Sequence, residues 1–283
     1  MKNGVLYVVA TPIGNLDDIS ARAIEILGKV DLIAAEDTRH SRTLLTHFAI
    51  DVRMLSLHEH NEHQALKKVI ERLQQGDSVA LISDAGTPLV SDPGFALVRE
   101  CHRQGITVSP VPGPSAAIAA LSVSGLASDS FLFLGFPNRN KAARRAEFED
   151  LAGEHRTMLF YESSHRVKAC MRDMVDIFGA ERPGVVAREL TKLHETILHD
   201  TLGSLYEALE QDPMQSKGEF VLIVSGCSEK QSGELDQDVI KTLKLLMQEL
   251  SLKQAAALTA KLTGEKKNRL YQYGLGLQGD VSK

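Results

Sequence analysis

Cysteine is scarce in the sequence, and no two cysteines are close together. The three that occur, Cys101, Cys170 and Cys227, are odd in number and far apart along the chain. This excludes a full set of disulfides and any Cys-x-x-Cys metal knuckle. Free thiols are typical of reducing compartments, so we expect a cytoplasmic protein.

Long apolar runs and a strong excess of one charge are also absent. The longest weakly polar run, 116–127, contains serines and is too short to span a bilayer. The first residues lead directly into a strand pattern, so we predict neither a signal peptide nor a transmembrane segment. A net charge of -5 argues against a protein that binds a polyanion with its whole surface. Any contact with nucleic acid must then come from local basic patches.

The phosphate-binding signatures of nucleotide enzymes do not occur. Neither G-x-G-x-x-G nor G-x-x-x-x-G-K-[ST] is present, and the first predicted turn has Gly14 beside Pro12 and no lysine. The sequence therefore argues against a site that cradles a pyrophosphate. A ligand held by backbone groups, Asp84 and apolar contacts fits better, such as an adenosine-bearing cofactor without phosphates.

The order of apolar and polar segments predicts two α/β domains within the 283 residues. In the first half, strands alternate with helical patterns, which indicates a mostly parallel sheet. In the second half, some consecutive strands have no helix of comparable length between them, which indicates a mixed sheet. The predicted strands are Val5–Ala10, Asp31–Ala35, Val79–Ile82, Ile106–Pro110, Phe131–Phe136, Thr157–Tyr161, Val185–Ala187 and Phe220–Ser225.

We predict domain boundaries at the changes of rhythm in this pattern. The first α/β domain covers 1–124 and the second covers 125–228. The stretch 228–236 is polar and unpatterned, so we predict a linker there. From 237 to 283 the pattern is helical, which predicts a small C-terminal domain of two or three helices.

The stretch Val79–Gly94 predicts one wall of a ligand pocket. A buried strand runs into a loop that contains Asp84, Gly86 and Pro88, and we expect Asp92 and Pro93 to begin the following helix. The loops after the other predicted strands are polar as well. Open α/β sheets bind ligands at the carboxyl ends of their strands, so we expect a functional cleft there.

Several other motifs favour ordinary structural roles. The spacing in His58-Glu59-His60-Asn61-Glu62-His63 matches neither a helical His pair nor a zinc knuckle, so we predict no metal site. Ser163 and Ser164 lack the G-x-S-x-G elbow of a hydrolase and suit a helix N-cap. We interpret the basic clusters as solvated faces, with phosphate binding as the alternative. They consist of Arg139, Lys141, Arg144 and Arg145, and of Lys266, Lys267 and Arg269.

Seven ordered motifs resemble those of the tetrapyrrole-methylase superfamily of S-adenosylmethionine-dependent methyltransferases. They are VATPIGNLDDIS, AEDTRHSR, LISDAGTPLVSDPG, VPGPSAAIAAL, FLFLGF, YESSHR and ARELTKLHE, in order from about Val5 to Ser225. They look most like the bacterial branch that methylates the ribose 2′-oxygen of a cytidine in the decoding region of small-subunit ribosomal RNA. The helical tail, with LSLKQAAALTAKLTGEKKNRLYQ, resembles the C-terminal domain of that branch.

The resemblance implies a fold, a cofactor and partners. It implies S-adenosylmethionine in the cleft between two α/β domains, usually in a homodimer, and 16S ribosomal RNA or the small ribosomal subunit as the partner. The superfamily's usual Gly-Asp-Pro appears here as Gly86-Thr87-Pro88. The residues that the resemblance assigns to the cofactor are Pro12, Asp84, Ala85, Gly86, Thr87, Pro88, Val90, Ser115, Ala116, Phe136, Tyr161 and Phe220.

Transfer to a ribose hydroxyl also needs help at the attacking oxygen. A hydroxyl is a poor nucleophile, and a base or a cation near it assists the reaction. Among the charged residues at the strand ends we favour Glu189 with Lys192, then Glu162. For contact with RNA phosphates we favour arginines of the same loops, namely Arg39, Arg139, Arg166 and Arg188.

Two other functions stay open on the sequence. A methyltransferase of the same fold that acts on a small molecule would need an apolar trough. A non-catalytic ribosome-binding protein would keep the tail and the arginines but bind no S-adenosylmethionine.

Overall fold

The computed structural model describes residues 4–58, 61–212, 216–227 and 237–279. The chain divides into two compact units, Met1–Cys227 and Ser228–Lys283. The first unit contains two five-stranded sheets with their helices, and the second is helical. The predicted boundary near residue 124 falls inside the first unit, and it stays a prediction.

The first sheet is parallel throughout, as the alternation of strands and helices predicts. Its strand order is β3-β2-β4-β1-β5. The strands are Val5–Val9 (β1), Leu32–Ala35 (β2), Met54–Ser56 (β3), Val79–Ile82 (β4) and Thr107–Val111 (β5). The helices are Ala21–Leu27 (α1), Thr38–His47 (α2), Glu62–Gln74 (α3), Phe95–Arg103 (α4) and Ala116–Val123 (α5).

Strand β4 lies at the centre of this sheet and is buried on both faces. Leu81 packs into one apolar cluster with α3 and α4, whereas Ala80 and Ile82 pack into another with α1 and α2. A strand covered by helices on both sides reads as a continuous apolar run, which is why its bounds could be predicted. Its neighbours are β1 and β2, so the loops that follow these three strands leave the sheet side by side.

The second sheet is mixed, also as predicted, with strand order β6-β7-β10-β8-β9. Only the β6–β7 pair is parallel. The strands are Phe131–Gly135 (β6), Thr157–Ser163 (β7), Pro183–Arg188 (β8), Thr196–Thr201 (β9) and Glu219–Val224 (β10). The helices Lys141–Asp150 (α6), Val167–Phe178 (α7) and Leu202–Gln211 (α8) contribute to the core on one face. On the other face, α5 of the first sheet packs against the second sheet, which joins the two halves.

Two predicted helix starts are wrong. Helix α4 begins at Phe95 with Gly94 as its N-cap, so Asp92 and Pro93 belong to the preceding loop. Gly94 has φ +118°, and a Cβ there would lie 2.8 Å from the Leu81 side chain, so glycine is needed for both conformation and space. Helix α7 begins at Val167 after Arg166, so Ser164 is not its N-cap.

The second unit consists of three helices, Gln237–Glu249 (α9), Leu252–Thr263 (α10) and Lys267–Gly279 (α11). A small core that includes Leu243, Ala255 and Leu270 holds them together. A capping box between Ser251 and Gln254 begins α10. The predicted linker 228–236 lies outside the described residues. Among the described helices of both units, none is long and apolar enough to cross a membrane.

Candidate functional site

A cavity of about 360 Å³ lies where strands of both sheets end. The first sheet contributes the loops after β1, β2 and β4 and the start of α5. The second contributes the ends of β6 and β7, the start of β10 and the region around the end of β8. Strand β10 runs antiparallel to β7, so its first residue, Glu219, lies opposite Ser163 at the same edge. The cavity is therefore at the position where open α/β sheets bind ligands.

Most of the predicted cofactor residues surround this cavity. Those that line it are Asp84, Ala85, Gly86, Thr87, Val90, Ser115, Ala116, Phe136, Tyr161 and Phe220. Pro12 and Pro88 are not among its lining residues, although Ile13, the neighbour of Pro12, is. Whether any of these residues holds a cofactor stays a prediction.

Backbone pairing fixes the loop after β4. Thr11 and Gly86 exchange two backbone hydrogen bonds, of 2.9 and 3.0 Å, which tie this loop to the exit turn of β1. Gly86 has φ +84°, a conformation that glycine adopts without strain. Thr87 Oγ1 donates to the Pro114 carbonyl at 2.9 Å, just before α5. The three segments thus form one rigid wall.

The same loop contains backbone strain. Leu89 and Ser91 have φ values of 73° and 68°, a region that costs a non-glycine residue about 1–3 kcal/mol. A Cβ at Gly135 would lie 3.1 Å from Ser91 Oγ, so the strained loop closely approaches the end of β6. Such strain persists only where the surroundings enforce it, which indicates that the fold itself sets the shape of this wall.

Aromatic side chains form the opposite wall. The rings of Phe136 and Tyr161 are 5.5 Å apart in an edge-to-face arrangement. The Tyr161 hydroxyl accepts a hydrogen bond from the Ala117 amide at 3.2 Å, which connects the second sheet to the first turn of α5. Burial raises the pKa of the Tyr161 phenol, and the charge of Asp92 adds to the effect. Tyr161 is therefore a neutral group that spans the two halves of the site.

The cavity lining is acidic. Among the described residues it includes the carboxylates of Glu36, Asp84, Asp92, Glu162 and Glu219 and contains no lysine or arginine. The Asp37 amide donates to Asp84 Oδ1 at 3.1 Å, which fixes that carboxylate. Burial raises the pKa of Asp92, and the charge of Asp84 raises it further. The electrostatics of this lining favour a cationic ligand and oppose an anionic one.

Glu189 and Lys192, two of the predicted catalytic residues, lie beside the cavity rather than in its lining. Lys192 Nζ is 2.9 Å from both Glu189 Oε1 and Glu219 Oε2, and the Glu219 amide donates to Glu189 Oε1 at 2.9 Å. Burial alone would raise the pKa of Glu189, but the bonds from Lys192 and the Glu219 amide outweigh it and lower the pKa. The contacts of Lys192 with Glu189 and Glu219 hold the loop after β8 in place.

Glu162, the third predicted catalytic residue, lines the cavity at the sheet edge. Side chains alternate along β7, so Glu162 is on the α7 face with Phe160, whereas Tyr161 is on the α5 face. Its Oε1 accepts from the Ser163 amide at 2.8 Å, and its Oε2 lies 3.2 Å from Arg166 Nη2. The carboxylate is buried beside that arginine.

The four predicted RNA-binding arginines are in different environments. Arg39 is exposed at the start of α2 and paired with Asp37 at 2.8 Å, and Arg139 is exposed after β6. Arg166 donates to the Pro137 carbonyl. Arg188 is buried and donates to the Lys217 carbonyl at 2.6 Å and the His194 carbonyl at 3.3 Å. Their role in RNA binding stays a prediction.

Two further motifs have structural partners. Arg144, which the sequence places in a solvated cluster, is instead buried and bonded to Asp173 at 2.6 Å, so that expectation is wrong. In the histidine-rich segment, the Asn61 side chain bonds the His58 amide and the Ser56 carbonyl, while Glu59 and His60 lie outside the described residues. The described residues contain no group of three or more potential metal ligands.

A family model described as "Tetrapyrrole (Corrin/Porphyrin) Methylases" matches residues 5–206, which include most of both sheets. The chain belongs to the tetrapyrrole methylase family. A second model, described as "RsmI C-terminal HTH domain", matches residues 233–278, which cover the helical unit.

Within the tetrapyrrole methylases, the chain is similar along its whole length to curated relatives. It is 52% identical to Ribosomal RNA small subunit methyltransferase I of Pasteurella multocida (strain Pm70), over 96% of this chain and 97% of the relative. It is 51% identical to the protein of the same name from Escherichia coli O157:H7, over 98% and 96%. The similarity thus includes both the sheets and the tail.

Solved structures of tetrapyrrole methylases share the fold. Cobalt precorrin-4 methyltransferase aligns with a TM-score of 0.58 at 18% identity, over 78% of this chain and 94% of that one. Uroporphyrin-III-C-methyltransferase from Thermus thermophilus aligns with a TM-score of 0.55 at 19% identity, over the same shares. At such identity the likeness concerns architecture alone.

Several residues that line the cavity were not predicted from sequence. The group includes Ser91 from the first sheet and Glu219 from the second, whereas Glu36 and Asp92 were among the carboxylates that the sequence offered without a firm role. Glu219 directly precedes a predicted strand, so its position at the sheet edge could have revealed it. Ser91 and Asp92 enter the cavity because α4 begins only at Phe95, and that depends on the Gly94 conformation.

Proposed function

We propose that this chain transfers a methyl group from S-adenosylmethionine to the ribose 2′-oxygen of a cytidine in the decoding region of small-subunit ribosomal RNA. Its membership of the tetrapyrrole methylases supports methyl transfer, and its full-length similarity to ribosomal RNA methyltransferases supports the substrate. The match of the tail to a domain of the same relatives supports the same substrate. The cytidine and the 2′-oxygen come from the resemblance of the motifs.

The acidic lining of the cavity is the structural observation that supports S-adenosylmethionine as the methyl donor in this proposal. S-adenosylmethionine has a sulfonium, an ammonium and one carboxylate but no phosphate, so its net charge is positive and carboxylates such as Asp84 and Asp92 suit it. Phe136 and Tyr161 offer apolar surface for the adenosine part. The cavity volume of about 360 Å³ falls in the usual range of roughly 300–1,000 Å³ for ligand pockets. The residues present therefore fit the cofactor.

The protein supplies position and exclusion of water. When bound, S-adenosylmethionine supplies a methyl group that is already activated by its sulfonium. The rigid wall of Thr11, Gly86 and Thr87 holds one side of the cavity, so the ribose oxygen can be aligned with that methyl group. The hydrogen bond from the Ala117 amide to Tyr161 joins the two sheets beside the cavity.

The contacts of the three predicted catalytic residues support positioning roles for them. Glu189 and Lys192 brace the loop after β8, and Glu162 holds Arg166, so removal of each should affect positioning. A group that accepts the ribose proton would cost about 10²–10⁴ in kcat when neutralised. Glu162→Gln, Glu189→Gln and Lys192→Met therefore separate the roles, because loss of a positioning residue also changes KM or cofactor affinity.

We also propose that the protein acts as a homodimer in the cytoplasm. The resemblance supports the dimer, and so do apolar side chains exposed on neighbouring elements, Ile118 and Val123 of α5 and Phe131 and Leu134 of β6. The buried thiols of Cys101 and Cys170 support a reducing compartment. Light scattering on the purified chain measures the mass directly, and a monomer across micromolar concentrations would overturn the dimer.

The deciding experiment follows the methyl group. Purified protein and labelled S-adenosylmethionine are incubated with small ribosomal subunits that lack the modification, and the RNA is digested and analysed by mass spectrometry. We expect label on the 2′-oxygen of one cytidine in the decoding region. Label on a base, or transfer only to small molecules, would refute the proposed substrate. Subunits that already carry the modification serve as the control and should accept no label.

A further inference from the structure

A groove of about 530 Å³ lies between α2 and β3, outside the cavity. Its polar lining includes Thr38, Arg42 and Thr46 from one face of α2, and Asp51 and Arg53 from the segment that leads into β3. Residues 38, 42 and 46 recur at the i, i+4 spacing of a helix face, so their side chains follow the groove in a row. The groove therefore offers two guanidinium groups and two hydroxyl groups.

The two arginines of this groove have no partner within the part of the chain that the structure describes. Arg42 and Arg53 are exposed, and no hydrogen bond or ion pair reaches either guanidinium. Three other exposed arginines are paired with carboxylates, Arg39 with Asp37, Arg103 with Glu100 and Arg156 with Glu154. Asp51 lines the groove too, but it lies beyond ion-pair distance of both arginines. The groove keeps a net positive charge.

Groove and cavity are adjacent along the chain. Glu36 lines the cavity and Thr38 lines the groove, and two residues span at most about 7 Å. The Asp37 amide between them bonds Asp84 in the cavity wall. The start of α2 therefore lies beside the cavity, and the groove extends from there along α2.

We propose that the α2–β3 groove binds the phosphodiester backbone of the RNA next to the nucleotide that is methylated. This inference rests on the proposed function and adds the surface that recognises the substrate. The cavity is acidic and repels phosphates, so the RNA backbone must be held by cationic groups outside it. Arg42 and Arg53 present planar donors that match phosphate oxygens, and the hydroxyls of Thr38 and Thr46 add further donors.

The test compares two arginine variants in the full-length protein. The first is Arg42→Gln combined with Arg53→Gln. The control is Arg172→Gln, because Arg172 is an exposed arginine of α7 that lines neither the groove nor the cavity. For each protein we would measure affinity for S-adenosylmethionine, thermal stability, affinity for the small subunit at several salt concentrations, and kcat and KM for methyl transfer.

The groove predicts a specific pattern of results. The double variant should bind S-adenosylmethionine as the parent does, with a raised KM for RNA and a weaker salt dependence. Each lost phosphate contact lowers the slope of log affinity against log salt by about 0.7–0.9, so two contacts lower it by about 1.4–1.8. Between about 50 and 200 mM salt, the double variant should then lose roughly tenfold less affinity than the parent.

The outcomes separate this inference from the proposed function. If the parent methylates small subunits and the double variant shows the KM and salt slope of Arg172→Gln, the groove does not bind RNA. If the double variant loses affinity but keeps the parental salt slope, its arginines do not contact phosphates and the inference fails. If the parent itself transfers no methyl group to RNA, the proposed function fails first and the inference fails with it.

Discussion

At the scale of single residues, Asp92 has a carboxylate whose charge the fold disfavours. Burial raises its pKa, and Asp84 raises it further, so the ionised form is less favourable in the folded protein than in the unfolded chain. We expect Asp92→Asn to increase the free energy of unfolding at pH 7. The gain should shrink as the pH falls through the folded pKa and vanish below the pKa of 3.8 in the unfolded chain, where both states are protonated.

Denaturant unfolding of the parent and of Asp92→Asn between pH 7 and pH 3.5 checks this expectation. Asp129→Asn is the matched control, because Asp129 is exposed and lies outside the cavity. A loss of stability at pH 7 would show that Asp92 is held by favourable contacts instead. Natural sequences keep such a cost where function needs the charge, so we also expect the variant to bind S-adenosylmethionine more weakly.

Glu189 should show the opposite dependence on pH. Burial alone would raise its pKa, but its bonds to Lys192 and the Glu219 amide lower it overall, so the ionised form stabilises the fold. The parent should exceed Glu189→Gln in unfolding free energy at pH 7. A depressed pKa gives stability that is present above the unfolded value, near 4.5, and is lost as the pH falls through the folded value.

The measurement is again the free energy of unfolding against pH. Glu149→Gln on the exposed face of α6 removes the same charge without such partners and serves as the control. A difference between parent and Glu189→Gln that stays constant down to pH 3 would contradict the role of the ionised carboxylate.

Residues at strand ends could be predicted from sequence, whereas the partners of their side chains could not. Asp84 and Gly86 directly follow a buried apolar run, so their place at the sheet edge follows from the pattern. Glu189 pairs with Lys192, three residues along, but it also accepts a bond from the amide of Glu219, which is 30 residues away and brought close by antiparallel pairing. Sequence reasoning therefore found the site but could not distinguish a brace from a proton acceptor.

At the scale of elements, the exit turn of β1 packs tightly on the loop after β8. A Cβ at Gly14 would lie 2.5 Å from Lys192 Cγ and 2.9 Å from both the Leu190 carbonyl oxygen and Thr191 Oγ1. The Asn15 amide also donates to Thr191 Oγ1 at 3.1 Å. We expect Gly14→Ala to force these segments apart and to cost about 1–3 kcal/mol of unfolding free energy, as overpacking does.

The separation should also weaken binding of S-adenosylmethionine, because Ile13 and Leu190 of the same segments line the cavity. Chemical denaturation and a cofactor titration give both quantities. Gly153→Ala is the control, since a Cβ there meets no atom within 4 Å. Equal stability of Gly14→Ala and Gly153→Ala would mean that the two segments separate without cost.

Three elements that sequence reasoning missed, α2, β3 and β9, have weak or short patterns, whereas α8, also missed, buries Leu202, Leu205 and Leu209. Helix α2 buries only Ser41 and Leu45 in ten residues, so its polar sequence resembles a loop. Strand β3 has three residues, and β9 is an edge strand with no fully buried residue. These elements owe their structure to neighbours such as β2 and β8, which supply their hydrogen-bond partners. The central strands could be predicted because strands that are buried on both faces have continuous apolar sequences.

At the scale of the whole molecule, the charges of the site are divided by location. The net charge of -5 does not reveal that the protein has both an acidic cavity and a basic groove. Glu36 of the cavity and Thr38 of the groove are two residues apart along the chain. A composition argument excludes RNA binding by the entire surface, and it remains valid here. It cannot locate the groove, because Arg53 comes next to α2 only through the pairing of β3 with β2.

The division into two compact units leads to a prediction about a chain that ends at Cys227. The cavity and the four large apolar clusters consist of residues from the first unit, and the small cluster of the second unit consists of its own residues. The shortened chain should therefore fold and bind S-adenosylmethionine. At a cofactor concentration 100 times its Kd, binding should stabilise both chains by about 2.7 kcal/mol.

In the shortened chain, the rate of methyl transfer to small subunits should fall much more than the affinity for S-adenosylmethionine. The tail matches a helix-turn-helix domain, a motif whose second helix commonly contacts nucleic acid, so its loss should raise the KM for RNA while the cofactor affinity stays within a few fold. Calorimetry with S-adenosylmethionine and steady-state kinetics with small subunits measure the two effects on the same preparations. Full activity without the tail would assign RNA recognition to the first unit alone. Loss of cofactor binding would instead show that the cavity depends on residues beyond Cys227.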